Sequence, residues 1–173
     1  MVLDAHSDDG FHNESKIRSQ AEDHVFLAEY GPIPIWNGPI LTIAQVIKFV
    51  MSLEAEAEIG AILVTAKELV PMSQTMIEME WPQPPTPIQI ENSTAAKLAN
   101  YTIIVQKTKF TDLRLHWLRF REAKQKFPFY WDPGSKNWSD YITKPHPPIY
   151  YKSKHPLFEG ADQRLYQFLL EHC

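Results

Sequence analysis

The stretch Pro87-Ile88-Gln89-Ile90-Glu91-Asn92-Ser93-Thr94-Ala95 decides the fold, because a strand, an acid and a helix start follow one another in it. Its two isoleucines alternate with polar neighbours, which predicts a short strand with one buried face. The polar Asn92-Ser93-Thr94 segment offers N-cap side chains, and the alanines that follow favour a helix. In α/β folds, ligand chemistry gathers at the carboxyl end of a strand beside a helix start. Taken alone, however, Glu91 is more typical of a solvated acid near a helix cap.

Three other acidic segments change this interpretation. Ser7-Asp8-Asp9 follows an apolar start that predicts a first strand. Glu58 lies in a segment from Leu53 onward whose apolar residues recur at helical spacing. Asp140 lies in a last short helix predicted over residues 137–144. The acids therefore occur in the order strand, helix, strand end and helix.

In that order the chain resembles the ribonuclease H domain at the C-terminal end of copia-type retrotransposon polyproteins. The family pattern has a Ser-Asp-Ala start, an Ala-Glu-Ala-Glu helix, an Asp-Asn-Ser strand end, a basic helix and a final Asp-x-x-Thr-Lys. The corresponding blocks are Ser7-Asp8-Asp9, Glu56-Ala57-Glu58, Glu91-Asn92-Ser93, Thr108-Lys109-Phe110-Thr111-Asp112-Leu113-Arg114-Leu115-His116 and Asp140-Tyr141-Ile142-Thr143-Lys144. Each block is weak by itself, whereas five in the right order are fairly specific.

The resemblance implies an α/β, ribonuclease H-like fold, with a mixed five-stranded sheet flanked by helices. It covers about residues 2–148, so we expect a ribonuclease H-like domain over 1–148 and a C-terminal tail over 149–173 with a short helix. The element order read from periodicity, βββαβααβα, agrees with that fold but by itself indicates only an α/β or α+β protein.

The resemblance also implies a chemistry, namely hydrolysis of the RNA strand of RNA–DNA hybrids with two Mg²⁺ or Mn²⁺ ions. Such ions activate water and neutralise the leaving oxygen, and hard oxygen ligands hold them. The family's catalytic and metal-binding acids correspond to Asp8, Glu58, Glu91 and Asp140. The expected partners are an RNA–DNA hybrid and a reverse transcriptase domain that precedes this one in the same polyprotein.

Neighbouring acids leave alternatives open at two of these positions. Asp9 competes with Asp8, and Glu54 and Glu56 compete with Glu58. The Ser-Asp match favours Asp8. Asp140 is also compatible with an ordinary acid on a helix surface.

A basic segment at residues 107–126 is the candidate contact for nucleic acid. It carries seven Lys or Arg residues against two acids, in a chain whose net charge is −4. The candidate nucleic-acid-binding residues are Asn92, Ser93, Lys107, Lys109, Arg114 and His116. The alternative is a solvated amphipathic helix, in which the side chain of His116 serves packing rather than binding.

Three departures from the family pattern favour a second function, that of a catalytically decayed module that binds nucleic acid or a protein partner without cleavage. Glu91 replaces the family's aspartate and adds a methylene, and a misplacement of about 1 Å can cost on the order of 100-fold in rate. Glu22-Asp23 stands where Gly-Gly is common, which predicts strain, and Glu54 stands where a small residue is usual. No histidine is expected after the Phe127–Trp131 strand to serve as the mobile histidine of some ribonucleases H.

Composition bounds the remaining possibilities. The 173 residues are 44% hydrophobic and 12% aromatic, which is typical of one folded domain. The single cysteine, Cys173, cannot form an internal disulfide, and we find no signal peptide and no apolar run long enough for a membrane span. We therefore expect a protein that is neither secreted nor membrane-bound, and the resemblance implies an intracellular location, in a cytoplasmic particle or the nucleus.

Periodicity and proline positions give the remaining local predictions. Pro71 should end or kink the helix that starts near Leu53. A helix over 107–124 should bury an aromatic face composed of Phe110, Leu113, Trp117 and Phe120. Residues 145–156 are rich in Pro and His, which is typical of a linker, and residues 158–172 favour a terminal amphipathic helix.

Overall fold

A computed structural model describes residues 1–14, 18–29, 36–48, 53–102, 111–143 and 146–158. The strands are β1 (Val2–Glu14), β2 (Arg18–Ala28), β3 (Trp36–Val46), β4 (Ile88–Ile90) and β5 (Phe129–Trp131). They form one sheet in the order β3-β2-β1-β4-β5. The first three strands pair antiparallel, whereas β4 pairs parallel with both β1 and β5. The predicted mixed five-stranded sheet is therefore confirmed.

The helices in the described residues are α1 (Glu54–Glu78), α2 (Ser93–Ala99), α3 (Thr111–Ala123), α4 (Asp140–Thr143) and α5 (Pro148–Phe158). A 3₁₀ turn, Gly134–Lys136, precedes α4. Helix α1 packs on β1 and β2 and also contacts α2 and α3, while α4 contacts β1 and β2 and α5 contacts β3. The sheet is thus flanked by helices, as predicted. None of these helices has both the length and the hydrophobicity that crossing a bilayer requires.

The long strand β1 separates an apolar face of the sheet from a polar one. Side chains alternate along a strand, and Leu3 and Ala5 lie in the apolar core together with Ile59 and Ile62 of α1. His6 is buried on the opposite face. There its Nδ1 accepts a hydrogen bond from the backbone N–H of Trp138, shortly before α4. This alternation decides which helix each acid of β1 faces.

Strand β4 lies in the interior of the sheet, between β1 and β5. Ile88 and Ile90 are fully buried, and Gln89 between them is only 3% exposed. The strand is therefore buried on both faces, and the prediction of a single buried face is wrong. Strands β1 and β5 pair with its two edges, and α1 and α2 also contact the strand.

The structure also corrects two predictions about helices, namely an end of the first helix at Pro71 and part of the buried face of α3. Helix α1 continues through Pro71, which is exposed, because Val70 and Met72 on either side of it pack against the core. In α3 the buried apolar residues are Leu115 and Leu118, and Trp117 of the predicted face is partly buried against the core. Leu113 and Phe120 of the predicted aromatic face are 82% and 56% exposed, because a different side of the helix packs on α1 and α2. Phe110 of that face lies outside the described residues.

Residues 148–156 of the predicted linker belong to a helix. Helix α5 begins at Pro148, and its last residue, Phe158, packs edge-on against the ring of His24 with 4.9 Å between ring centroids. The helix starts at the predicted boundary between residues 1–148 and the tail, and that division stays a prediction. The terminal helix predicted over 158–172 lies outside the described residues after its first position.

Candidate functional site

Five carboxylates gather at one end of the sheet, in two overlapping groups. Side-chain oxygens of Asp8, Glu91 and Asp140 lie within 4.8 Å of one another. Oxygens of Asp8, Asp9 and Glu58 satisfy the same limit. Asp8 belongs to both groups, so the four acids selected from the sequence all lie in these two linked groups. We call these five residues the acidic cluster.

Strand pairing explains why Asp8 meets Glu91. In the parallel ladder between β1 and β4, Ser7 pairs with Ile90. The next residue of each strand is an acid, so the register carries Asp8 and Glu91 to neighbouring positions at the same end of the sheet. The additional methylene of Glu91 does not separate its carboxylate from those of Asp8 and Asp140.

Strand alternation explains why Asp9 joins the cluster. Successive side chains of β1 point to opposite faces of the sheet. Asp8 therefore lies on the same face as His6 and α4, whereas Asp9 lies on the face that α1 covers. Asp140 is the first residue of α4, and Glu58 lies in the second turn of α1. The sequence presented Asp8 and Asp9 as competitors, whereas the fold brings both into the cluster, one for each face.

Glu58 holds the junction between β4 and α2. Its Oε1 accepts hydrogen bonds from the backbone N–H groups of Glu91 at 3.1 Å and of Asn92 at 3.3 Å. The side chain is buried, at 1% exposure. Glu54, its competitor in the sequence, is exposed at the start of the same helix. The Glu58 carboxyl is thereby fixed in orientation by the same backbone that carries Glu91.

Asn92 is the N-cap of α2. Its Oδ1 accepts hydrogen bonds from the N–H groups of Thr94 at 2.9 Å and Ala95 at 3.1 Å. Of the three candidates for this cap in the sequence, it is Asn92 that satisfies the free N–H groups of the first turn. This cap fixes the chain immediately after Glu91.

Burial and mutual repulsion disfavour ionisation within the acidic cluster. Burial raises the pKa of Asp9 to about 7, and the charges of Asp8, Glu54 and Glu91 act in the same direction. Burial, together with a hydrogen bond to Asp9 and its charge, raises the pKa of Glu58 well above its ordinary value. A bound cation removes such repulsion. Carboxylate oxygens are also the ligands that Mg²⁺ and Mn²⁺ prefer, so the residues present fit these ions.

Asp140 is paired with a histidine that the sequence analysis missed. His146 Nε2 lies 3.4 Å from Asp140 Oδ2 and 2.6 Å from its backbone carbonyl oxygen, to which the imidazole donates. The ring of His146 stacks on Tyr150, with 3.8 Å between centroids. The sequence prediction that no histidine serves the site concerned only the segment after the strand at residues 127–131. The available signal was a histidine six residues after Asp140, in a segment interpreted as linker.

The pair Glu22-Asp23 does not produce the strain that the sequence predicted. Both residues lie in the regular antiparallel ladder, where Asp8 pairs with Glu22 and Ser7 pairs with Asp23. Neither has a positive φ angle, so neither position requires glycine. Complete burial instead raises the pKa of Asp23 well above its ordinary value, and the charge of Glu58 adds to the shift.

The candidate nucleic-acid-binding residues are not gathered into one surface by the described contacts. Ser93 and His116 are exposed, and Arg114 is half-buried, which lowers the pKa of its guanidinium. Lys107 and Lys109 lie outside the described residues. Their roles toward nucleic acid stay predictions.

Another arginine of the basic segment has a structural role instead. Arg119 is 9% exposed, and its Nε donates to the carbonyl of Leu98 at 2.8 Å. Its guanidinium also lies over the ring of Tyr101, 4.2 Å from the centroid. Part of the positive charge in the segment therefore joins α3 to α2 rather than facing solvent.

Comparison with solved structures identifies the fold. The N-terminal RNase H domain of a Mycobacterium tuberculosis protein, solved as a fusion with maltose-binding protein, superposes with a TM-score of 0.53 at 11% identity, covering 79% of this chain and 91% of that one. An RNase H1 isolated from compost gives a TM-score of 0.49 at 10% identity over 79% of this chain and 87% of its own. No protein-family profile and no curated protein sequence matches the chain significantly. The strand order and the first of these superpositions together show a ribonuclease H-like fold.

Proposed function

We propose that this protein is a metal-dependent endonuclease that hydrolyses the RNA strand of RNA–DNA hybrids. The observation that carries the proposal is the acidic cluster, in which acids from β1, α1, the end of β4 and α4 approach within 4.8 Å in two groups sharing Asp8. A ribonuclease H-like fold alone does not establish an activity. Two oxygen-lined groups with one shared carboxylate, however, suit a pair of divalent ions bound side by side.

The donor residues divide naturally between two ions. Asp8, Glu91 and Asp140 would hold one, and Asp8, Asp9 and Glu58 would hold the other. When bound, Mg²⁺ or Mn²⁺ supplies an activated water and neutralises the oxygen that leaves the phosphodiester. The protein's contribution is to keep the carboxylates in place before substrate arrives.

The residues around the cluster provide this fixed geometry. The backbone N–H groups of Glu91 and Asn92 hold the Glu58 carboxyl, and the N-cap of α2 fixes the chain that follows. His146 contacts both the carboxylate and the carbonyl of Asp140. Such supporting contacts typically change metal affinity or activity 10- to 100-fold when removed.

A strand-specific cleavage assay tests the proposal. An RNA–DNA hybrid labelled on either strand should lose only its RNA strand in the presence of Mn²⁺, and Asp140→Asn should abolish the cleavage. Asp132→Asn is the matched control, because Asp132 lies in the preceding turn, pairs with Lys136 at 3.4 Å and lies outside the acidic cluster. Cleavage of the DNA strand, or equal activity of both variants, would refute the proposal.

The second candidate, a module that binds nucleic acid or a protein without cleavage, is favoured by the replacement of aspartate by Glu91. The same assay separates the two functions if binding of the hybrid is measured in parallel. Hybrid retained by the protein but left intact with both Mg²⁺ and Mn²⁺ supports the non-catalytic function.

We further propose that the chain derives from a copia-type retrotransposon polyprotein, works inside the cell and follows a reverse transcriptase domain. The five ordered sequence blocks between Ser7 and Lys144 support this origin. Sequencing the genomic region upstream of the codon for Met1 tests it. An in-frame reverse transcriptase is the expected result, and an unrelated upstream region contradicts the proposed origin.

A further inference from the structure

Gly134, the first residue of the 3₁₀ turn before α4, lies directly against the carboxyl group of Glu91. A Cβ atom built on Gly134 would stand 2.5 Å from Glu91 Cδ and 2.9 Å from its Oε2, and closer still to Oε1. Ordinary contacts of a Cβ atom begin at 3.4 Å. The space that any other residue would fill at position 134 is therefore occupied by the end of the Glu91 side chain.

The backbone at Gly134 does not itself require glycine. Among the described residues, the glycine with a positive φ angle is Gly38, at 83°. Gly134 begins a 3₁₀ turn, which residues with a Cβ adopt without strain. What glycine supplies at this position is room for a neighbouring side chain.

The backbone of Glu91 is held from three directions and cannot withdraw easily. Its N–H donates to Glu58 Oε1 at 3.1 Å, and its carbonyl accepts a hydrogen bond from the indole Nε1 of Trp131 at 2.8 Å. The preceding residue, Ile90, is paired with both β1 and β5. A methyl group at position 134 would therefore clash with the Glu91 side chain, and rotation of that side chain would relieve the clash. The distance from the new Cβ to Glu91 Cδ would have to grow from 2.5 Å to at least 3.4 Å.

We propose that Gly134 is a positioning residue, whose missing side chain lets the Glu91 carboxylate reach the oxygens of Asp8 and Asp140. A glutamate is one methylene longer than an aspartate, and the groove over Gly134 receives that extra length. The inference rests on the proposed metal-dependent function, since it assigns Gly134 to the support of a metal ligand.

Calorimetric titration with Mn²⁺ in the absence of nucleic acid tests the inference without depending on cleavage. Gly134→Ala should weaken Mn²⁺ binding about 10-fold or more, the scale on which supporting residues act. Its melting temperature in EDTA should stay close to that of the wild type. Lys136→Ala, which alters the same turn at a side chain that is 67% exposed, is the control and should bind Mn²⁺ like the wild type.

A rescue experiment distinguishes positioning from general disturbance of the turn. Glu91→Asp withdraws the carboxylate from Gly134, so adding Gly134→Ala to that variant should cause no further loss of Mn²⁺ affinity. This coupling between the two substitutions is the expected signature. If Gly134→Ala alone folds poorly, the double variant with Glu91→Asp tests the inference instead. Shortening the acid at position 91 removes the clash, so the double variant should fold.

The outcomes separate this inference from the function on which it rests. A wild type that binds Mn²⁺, with Gly134→Ala binding it equally well, overturns the positioning role and leaves the proposed function intact. Equal losses from Gly134→Ala in the Glu91 and Glu91→Asp backgrounds also overturn it. A wild type that binds no Mn²⁺ overturns both.

Discussion

Substitution of Glu58 separates its structural role from its proposed role toward metal. Glu58→Gln keeps an oxygen that accepts from the N–H groups of Glu91 and Asn92, and its amide can donate to Asp9 as the protonated acid does. It also keeps position 58 uncharged, as burial and the charge of Asp9 favour for the acid itself. We therefore expect the metal-free Glu58→Gln protein to be at least as stable as the wild type at pH 7.

Glu58→Ala, in contrast, leaves both N–H groups without their acceptor. An unsatisfied buried donor costs about 1–3 kcal/mol. Because Glu91 and Asn92 are only half-buried, the loss for the pair should lie near the lower end of this range, about 2–3 kcal/mol. Urea unfolding in EDTA measures both variants, and repetition in Mn²⁺ measures the stabilisation by metal, which either substitution should reduce.

Two results would refute this reasoning. If Glu58→Ala is as stable as Glu58→Gln in EDTA, the hydrogen bonds to the β4–α2 junction do not contribute to stability. If Glu58→Gln retains the full stabilisation by Mn²⁺ seen in the wild type, Glu58 is not a metal ligand.

Three further predictions concern a buried histidine, the proposed metal ligand Asp140 and the buried face of α3. Burial lowers the pKa of His24 from 6.5 to about 4, so the unfolded chain binds more protons below pH 6.5 and stability is lost as the pH falls. Between pH 7.5 and pH 5, the free energy of unfolding in urea should fall by about 2 kcal/mol less for His24→Gln than for the wild type. Equal losses of stability would contradict the lowered pKa of His24. Mn²⁺ at 100 times its dissociation constant should stabilise the wild type and Asp132→Asn by about 2.7 kcal/mol, whereas a melting curve of Asp140→Asn should shift much less; equal shifts would exclude Asp140 as a ligand. Leu115→Ala should cost about 2–5 kcal/mol in urea unfolding and Leu113→Ala less than about 0.5 kcal/mol, because the first side chain is 2% exposed and the second 82%; the reverse order would restore the helix face predicted from the sequence.

Several strands and helices could be predicted from the sequence because their signals are local, whereas the mixed five-stranded sheet was expected from the family resemblance. The alternation in β4, the N-cap segment after Glu91 and the change to helical spacing at Leu53 each depend on a few neighbouring residues. The order of the acids then sufficed to select Asp8, Glu58, Glu91 and Asp140, which the fold brings around one strand end. Their roles as ligands stay proposals.

The errors arose where tertiary packing decides. In α3 two faces are apolar enough to be buried, and only the positions of α1 and α2 select Leu115 and Leu118 over Leu113 and Phe120. Pro71 removes one backbone hydrogen bond, but the packing of the residues beside it keeps α1 continuous.

The residues missed at the site depend on contacts between distant segments. Asp9 belongs to the acidic cluster because α1 covers the face opposite Asp8, which a strand pattern alone does not reveal. His146, in contrast, lies only six residues after Asp140 and was missed because its segment was interpreted as a linker. The fit between Glu91 and Gly134 joins the end of β4 to the turn before α4, and no motif in either segment indicates it.

The most direct test of the central claim is the location of bound metal. Crystals soaked in Mn²⁺ should show two anomalous scattering peaks beside Asp8, one contacting Glu91 and Asp140 and the other contacting Asp9 and Glu58. Both peaks should disappear in crystals of Asp8→Asn, because Asp8 is shared by the two groups. Mn²⁺ bound elsewhere on the protein, or no peak within the acidic cluster, would contradict it.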